Sequence, residues 1–169
     1  MSKVVRLFLL GTAFLGIAGA QVKIGIVNSQ KALLATADIK KAQQDLETKY
    51  RPRQEEIQQL QKDLQTLQQK AQTQGNTLSA AATQDLNEQI QTKQRELQRK
   101  GQDLQDDVNQ DRNDILQRAG ARMQDVVHKL AEQKGLDVVI DSTNTLFYKA
   151  ALDLTNDAVA AYDQANPVK

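Results

Sequence analysis

The 169-residue sequence contains no cysteine and no tryptophan, and aromatic residues make up only 4% of it. Without cysteine no disulfide can stabilise the fold, and with a single histidine, His128, zinc sites of the usual type are excluded. Few aromatic side chains are available for a large compact core. Two prolines and eight glycines leave long stretches without helix breakers. The composition therefore predicts long, solvated helices attached to a small body.

The first 20 residues have the pattern of a cleavable signal peptide. Lys3 and Arg6 precede an apolar run from Leu7 to Ile17, which the small residues Ala18-Gly19-Ala20 follow. The run is shorter than the roughly 20 apolar residues that a transmembrane helix needs. We therefore expect residues 1–20 to be removed on export, leaving residues 21–169 as a mature chain without a transmembrane span. A retained N-terminal anchor is the alternative.

The charge balance argues against a polyanionic partner. The chain has 22 Lys and Arg against 21 Asp and Glu, so losing Lys3 and Arg6 leaves it close to neutral. A short basic patch at Arg95, Arg99 and Lys100 is followed directly by aspartates. We therefore predict no nucleic-acid partner.

A strand and a long helix open the mature chain. The segment Val22–Val27 alternates apolar with polar or small residues, which predicts a strand with one buried face. Asn28 or Ser29 can cap a helix that begins near Gln30 and continues to Gln74. Apolar residues of this helix recur at heptad-like spacing, as in a helix lying along a partner helix. They include Ile39, Leu46, Tyr50, Ile57, Leu60, Leu64 and Leu67, and Leu78 continues the spacing.

A second long helix is predicted from about Ala80 to Lys134. Ser79 or Thr77 can cap its start, and Gly135 stands where a left-handed residue ends a helix. Two helices of similar length joined by a short turn, here near residues 75–79, form an antiparallel coiled-coil hairpin.

The remaining segments predict a small β body. The β-branched segment Leu136–Asp141 favours a strand, and Leu146–Ala150 favours a second strand joined to it by a turn. A short helix from about Leu154 to Ala165 has Thr155 as its expected N-cap. The fold class is thus α+β and mostly α. One domain is expected, in which a helical arm of residues 36–129 is inserted into a body of residues 21–35 and 130–169.

This body is too small to support two long helices alone. Three short strands and one short helix bury little surface, and both sheet edges stay open. Association of subunits would cover edges and faces together, so we expect an oligomer. A monomer whose last helix covers one face is the alternative. The expected contact residues are Val22, Ile24, Ile26, Val138, Val139, Ile140, Leu146, Phe147 and Tyr148.

No residue pattern predicts catalysis, a cofactor or a metal site. His128 lies among apolar positions of the second helix, where a surface or packing role is expected. Asp103, Asp106, Asp107 and Asp111 form an acidic helix face without a loop that would wrap them around a cation. No glycine-rich loop precedes a helix. We therefore expect neither an enzyme nor a chaperone driven by ATP.

Segments of the body carry a resemblance to a known family. They are the strand-to-helix start Val22–Lys31, the helix-to-strand junction Leu130–Asp141, and Tyr148 with the closing segment Asp153–Val159. In them the chain resembles the Skp/OmpH family of periplasmic chaperones of outer-membrane proteins. The resemblance implies a periplasmic, jellyfish-shaped homotrimer, with a β-barrel body and three hairpin arms around a cavity. Family members are often strongly basic, whereas this chain is nearly neutral.

The resemblance also implies an ATP-independent holdase that binds unfolded outer-membrane proteins between its arms and prevents their aggregation. The alternative is a structural coiled-coil envelope protein, or tether, that binds one fixed partner. Candidate client contacts are apolar residues of the arms, most of which are also expected in the seam between the two helices. They are Leu60, Leu64, Leu67, Leu78, Leu86, Ile90 and Leu97.

Pro52 and Gly101 predict a hinge in the arm. A turn near residue 77 or 78 would place Pro52 opposite about residue 103, close to Gly101, and both residue types weaken a helix. The alternative for Pro52 is a position in the first turn of a helix.

Overall fold

The computed structural model describes residues 22–74 and 77–168, so the expected signal peptide lies outside the described residues. The strands are β1 (Ile24–Val27) and β2 (Val138–Asp141). The helices are α1 (Ser29–Ala35), α2 (Ala37–Gln74), α3 (Ala80–Lys134) and α4 (Thr155–Ala165), and short 3-10 turns occupy Ser142–Asn144 and Ala150–Leu152. The fold is mostly helical with a small strand pair, as the sequence predicts.

Helices α2 and α3 form the antiparallel hairpin. They contain 38 and 55 residues, which corresponds to lengths of about 57 and 82 Å at 1.5 Å per residue. The Ser79 hydroxyl accepts the N–H of Ala82 at the start of α3. Gly135 ends this helix in the left-handed conformation, with φ 61°, which costs glycine little because it has no Cβ.

The first long helix is interrupted at Thr36, where the sequence predicted a continuous helix. The buried Thr36 hydroxyl donates to the carbonyl of Leu33 at 2.8 Å and accepts the N–H of Ile39 at 3.3 Å. Threonine can end one helix and cap the next because its side chain competes with the backbone for these hydrogen bonds. The interruption leaves α1 in contact with α4, while α2 begins the arm.

Strands β1 and β2 form a parallel, two-stranded sheet in which Ile24 lies opposite Val138. Side chains alternate between the faces of a strand. Val27 and Val139 therefore pack toward the body core. Ile24, Val138 and Ile140 lie on the other face and are exposed.

The predicted third strand at Leu146–Ala150 is wrong for the described chain, because this segment contains no strand. The Asp141 carboxylate accepts both the N–H and the hydroxyl of Thr143, which winds the chain into a 3-10 turn where a hairpin turn was expected. The outer edge of β1 is partly occupied by a later segment, since Ile26 forms an isolated parallel bridge with Asp153. Leu146–Ala150 pairs with neither strand in the described chain.

The core of the body lies where α1, α4 and the base of the arm meet. Its buried residues are Val27, Ala32, Ile39, Ala119, Met123, Val126, Leu130, Ala158 and Tyr162. Helix α4 begins at Thr155, but the prediction that Thr155 is its N-cap is wrong, because Leu154 occupies that position. The Thr155 hydroxyl instead accepts the N–H of Asn28 at 3.0 Å, which attaches α4 to the end of β1.

Candidate functional site

All seven candidate client-contact residues lie along the hairpin. Two of them, Leu60 and Leu86, are buried. The other five are half-buried: Leu64, Leu67, Leu78, Ile90 and Leu97. Because α2 and α3 pack against each other along the arm, the helix pair accounts for this burial. A role of these residues in client binding stays a prediction.

The outer surface of the arm is polar. Among the described residues, no exposed large hydrophobic side chain lies between Ala37 and Lys134. The exposed positions there are mostly Gln, Lys, Glu, Asp and Thr. Glutamine both donates and accepts hydrogen bonds, so this surface can contact a polypeptide at many places without a single strong site.

A polar cluster, the Tyr50 cluster, joins the two arm helices. It consists of Lys49, Tyr50, Arg53, Asp107 and Asp111. The buried Tyr50 hydroxyl donates to Asp111 at 2.7 Å, Lys49 pairs with the same carboxylate, and Arg53 pairs with Asp107 at 2.6 Å. Lys49 and Arg53 also lie 5.0 and 5.7 Å from the centre of the Tyr50 ring. The hydrogen bonds from Lys49 and Tyr50 lower the pKa of Asp111, which keeps its carboxylate charged and paired.

The two predicted hinge residues lie on opposite helices at different levels of the arm. Lys100, next to Gly101, pairs at 2.8 Å with Glu56, four residues beyond Pro52. Gly101 is therefore about one helical turn nearer the tip than Pro52. The alternative for Pro52, a first-turn position, is wrong because α2 begins at Ala37 and Pro52 lies in its interior. The hinge itself stays a prediction.

Most of the predicted oligomer residues are exposed in the single chain, and we call these exposed residues the body face. Its six exposed members are Val22, Ile24, Val138, Ile140, Leu146 and Phe147. Of the other three predicted residues, Ile26 is buried, Val139 packs against the core and Tyr148 is half-buried. Parallel sheets are almost always covered on both faces. The face that carries Ile24, Val138 and Ile140 is only partly covered in the single chain, since these three side chains are exposed and Ile26 is buried.

A buried polar contact, which the sequence analysis missed, fixes the base of the arm. The fully buried Tyr162 of α4 donates its hydroxyl to Asp38 at 2.9 Å, and Arg122 of α3 pairs with the same carboxylate oxygen at 3.0 Å. Burial, together with the hydrogen bond to Asp38, raises the pKa of Tyr162 to about 12. The only local signal was a tyrosine in a helix of otherwise small and polar residues. Its partners come from distant parts of the chain.

Asp141 ties together the two parts of the body. Its carboxylate accepts the N–H of Ser29, at the start of α1, and the N–H and hydroxyl of Thr143, in the turn after β2. The hydrogen bonds from Ser29 and Thr143 lower the pKa of Asp141 to about 2. The carboxylate is therefore charged near neutral pH.

Residues 22–74 and 77–168 contain no helix with the length and apolar character to cross a membrane. The same residues contain no group of three or more metal-ligating side chains. His128 is exposed and lies 3.7 Å from Glu132, one turn along the same helix.

Comparisons with known proteins agree with this architecture. Among solved structures, the fold matches a protein from Caulobacter crescentus CB15 described as an OmpH-like outer membrane chaperone, with a TM-score of 0.75 and 21% sequence identity. The match covers 96% of this chain and 94% of that one. A search of curated protein sequences finds no match. The family described as "Outer membrane protein (OmpH-like)" matches residues 23–162, which include the whole arm and most of both parts of the body. The chain therefore belongs to the OmpH-like family.

Proposed function

We propose that this protein is an ATP-independent holdase that binds unfolded outer-membrane proteins in the periplasm and prevents their aggregation. Membership of the OmpH-like family and the similarity to a structure described as a chaperone support this role. One observation carries the proposal: large hydrophobic side chains are exposed on the body and, among the described residues, not on the arm. Such a division suits a body that associates with itself and an arm that contacts clients weakly.

Client contact along the arm is weak and repeated. A client touches the edges of half-buried seam residues and the aliphatic parts of glutamine and lysine side chains. Several arms acting on one client raise its effective concentration near each contact without requiring a strong site. The client is released when it folds into a membrane, because the free energy it gains by folding exceeds the free energy of its contacts with the arm. No nucleotide is needed for this cycle.

Self-association completes the body, and the resemblance to the Skp/OmpH family implies three copies. The exposed body face and the open edge of β2 support this part of the proposal. A two-stranded sheet is marginal by itself, so covering it with a neighbouring copy adds apolar burial and new backbone partners. The arms of the assembled copies then enclose a common space.

An aggregation assay with two unrelated outer-membrane proteins, each diluted from denaturant, tests the chaperone proposal. We expect residues 21–169 to keep both proteins in solution, each as one client bound to one oligomer. A tether would leave both clients to aggregate and would saturate with a single native partner. Light scattering measures the first outcome, and loss of both protections would refute the holdase.

A pair of matched variants tests whether the arm is the surface that contacts clients. Leu67→Gln changes a half-buried seam position near the arm tip, and Leu34→Gln changes an exposed leucine of α1 on the body. We expect Leu67→Gln to weaken client protection several-fold and Leu34→Gln to leave it unchanged. Circular dichroism checks that both variants keep the helix content of the wild type. Equal effects of the two substitutions would contradict contact through the arm.

A further inference from the structure

The hairpin divides into two parts that differ in charge. We call residues 64–74 and 77–92, at its outer end, the tip segment. Most of its residues are glutamine, threonine, alanine and leucine. Residues 37–63 of the same arm contain twelve charged side chains, whereas the slightly longer stretch 64–92 contains only three: Lys70, Asp85 and Glu88. The outer end of the arm is thus polar but almost uncharged.

The rest of the hairpin, residues 37–63 and 93–134, is called the shaft here, and many of its charged side chains form ion pairs. Four of these pairs join α2 to α3, and they involve Lys49, Arg53, Lys100 and Arg122. No described residue of the tip segment takes part in an ion pair. Charges therefore help to join the helices along the shaft, while apolar seam residues such as Leu86 join them in the tip segment.

The side-chain amides of the tip segment are accessible to another polypeptide. Its eight glutamines are all exposed. Among the described residues, the only hydrogen bond that their side chains form is that of Gln84 to Glu88, at 3.0 Å. A glutamine side chain carries the same amide group as the backbone, with both donors and an acceptor. These amides can therefore pair with the unpaired N–H and C=O groups of an extended chain.

Apolar edges lie beside these amides. The seam residues Leu64, Leu67, Leu78 and Ile90 are half-buried, so part of each side chain remains accessible. Contacts with amides and partly exposed leucines are weak one by one. They also require no charged group to leave water, which would be costly. Such a surface can bind a polypeptide reversibly at several places.

We propose that the tip segment is the part of the arm that contacts an unfolded client, and that it binds the client's exposed backbone irrespective of the client's charge. The inference rests on the proposed function and specifies the chemistry that is recognised, which is unpaired backbone N–H and C=O groups with apolar side chains beside them. A charged surface would select clients by the sign of their charge, because complementary charges attract and like charges repel. The tip segment has almost no charge with which to make this selection.

Binding of two probes at different salt concentrations tests the inference. The probes are two outer-membrane proteins of opposite net charge, each labelled, unfolded in urea and diluted into the full mature chain. Salt screens interactions between charges but leaves amide hydrogen bonds and apolar contacts largely in place. We expect the Kd of each probe, measured by fluorescence anisotropy, to change less than about threefold between about 50 and 500 mM sodium chloride. A larger change, or a preference for one sign of charge, would overturn the inference.

A matched pair of double variants tests the position of the contact. Gln65→Glu with Gln72→Glu adds two charges to the tip segment, and Gln44→Glu with Gln54→Glu adds two to exposed positions of α2 on the shaft. Glutamate and glutamine have similar size and helix propensity, and circular dichroism checks that helix content is retained. We expect the tip variant to bind the negatively charged probe several-fold more weakly than the positively charged one, with high salt removing the difference.

The shaft variant is expected to bind both probes as the wild type does. Equal effects of the two double variants, or no effect of the tip variant, would overturn the assignment of the contact to the tip segment.

Photo-cross-linking locates the contact directly, because the chain contains no native cysteine. Gln72→Cys on the tip segment and Gln54→Cys on the shaft are each labelled with a photoreactive thiol reagent and irradiated with either probe bound. We expect the yield of cross-linked client to be several-fold higher from position 72. Equal yields from the two positions would contradict contact through the tip segment.

The remaining outcomes separate this inference from the proposed function. Protection of both probes from aggregation, with binding that salt weakens strongly, overturns the inference and leaves the holdase in place. Aggregation of both probes, with no binding at any salt concentration, overturns the inference and the proposed function together.

Discussion

At the scale of single residues, the hydroxyl of Tyr162 joins α4 to the bases of both arm helices. Tyr162→Phe keeps the ring in the core but removes the hydrogen bond to Asp38, which is left with Arg122 alone. We expect the free energy of unfolding to fall by about 1–2 kcal/mol, measured by urea denaturation at fixed protein concentration. Tyr148→Phe is the matched control, because its hydroxyl reaches Asp153 only at 3.5 Å. A similar loss in both variants would contradict a special role of Tyr162.

The same hydroxyl predicts a dependence of stability on alkaline pH. The pKa of Tyr162 is about 12 in the folded chain and 10.0 ordinarily. As the pH rises, the unfolded chain therefore loses this proton first, and the associated stability is complete below pH 10.0 and is lost by about pH 12. The stability difference between wild type and Tyr162→Phe should shrink over this range. A difference that stays constant would show that the hydroxyl does not titrate in this way.

Asp141 predicts the opposite dependence at acid pH. Its pKa is about 2 in the folded chain against 3.8 ordinarily, so as the pH falls the unfolded chain takes up the proton first. The stability that Asp141 contributes is complete above the ordinary pKa and is lost as the pH approaches 2. Asp141→Asn should cost about 1–2 kcal/mol near neutral pH and progressively less across the acid range. Asp106→Asn, which changes an exposed carboxylate of α3, is the matched control and should leave the free energy of unfolding near neutral pH unchanged.

At the scale of whole elements, the arm contains two residues that weaken its helices, Pro52 and Gly101, and a polar cluster that joins the helices to each other. Pro52 has no N–H for the carbonyl of Thr48, while the adjacent Tyr50 cluster holds α2 against α3 at nearly the same level. Pro52→Ala together with Gly101→Ala should straighten and stiffen the arm, and Gly101→Ala alone should add up to about 1 kcal/mol of stability. Small-angle scattering should then show a narrower distribution of arm separations. An unchanged distribution would count against a hinge.

The element boundaries show what a sequence can predict. Helix α3 was predicted with its observed limits because Ser79 and Gly135 act through their own neighbouring backbone. The end of α1 was missed, since Thr36 lies among good helix formers and breaks the helix only where the body and the arm diverge. The strand at Leu146–Ala150 was predicted from β propensity, but a strand also needs a partner.

At the scale of the molecule, contacts between distant residues set the limit of sequence reasoning. The heptad-like spacing predicted the pairing of the arm helices, and consecutive apolar residues predicted much of the body face. The contact of Tyr162 with Asp38 and Arg122, by contrast, joins three helices whose relative positions no local pattern encodes.

If association completes the body, thermal stability must depend on protein concentration. Ligands and partners that bind only the folded chain stabilise it by mass action. We therefore expect the melting temperature to rise by a few degrees for each tenfold increase in protein concentration, measured by circular dichroism at several concentrations. A double variant of the body face, Ile24→Ser with Ile140→Ser, should melt lower and lose most of this dependence. A melting temperature that is independent of concentration would indicate a self-sufficient monomer.

The pairing of β1 with β2 gives the chain an order of assembly. Strand β1 is made early, yet Lys23 hydrogen-bonds to Asp137, 114 residues later. The entropic cost of closing so long a loop is smaller once α2 and α3 have paired, because their pairing brings the two ends of the loop close together. The body, with its exposed apolar residues, is therefore completed last, after the helices of the arm have formed. A polypeptide stalled during synthesis would display an arm but no finished docking surface, so half-made subunits are kept out of the assembly.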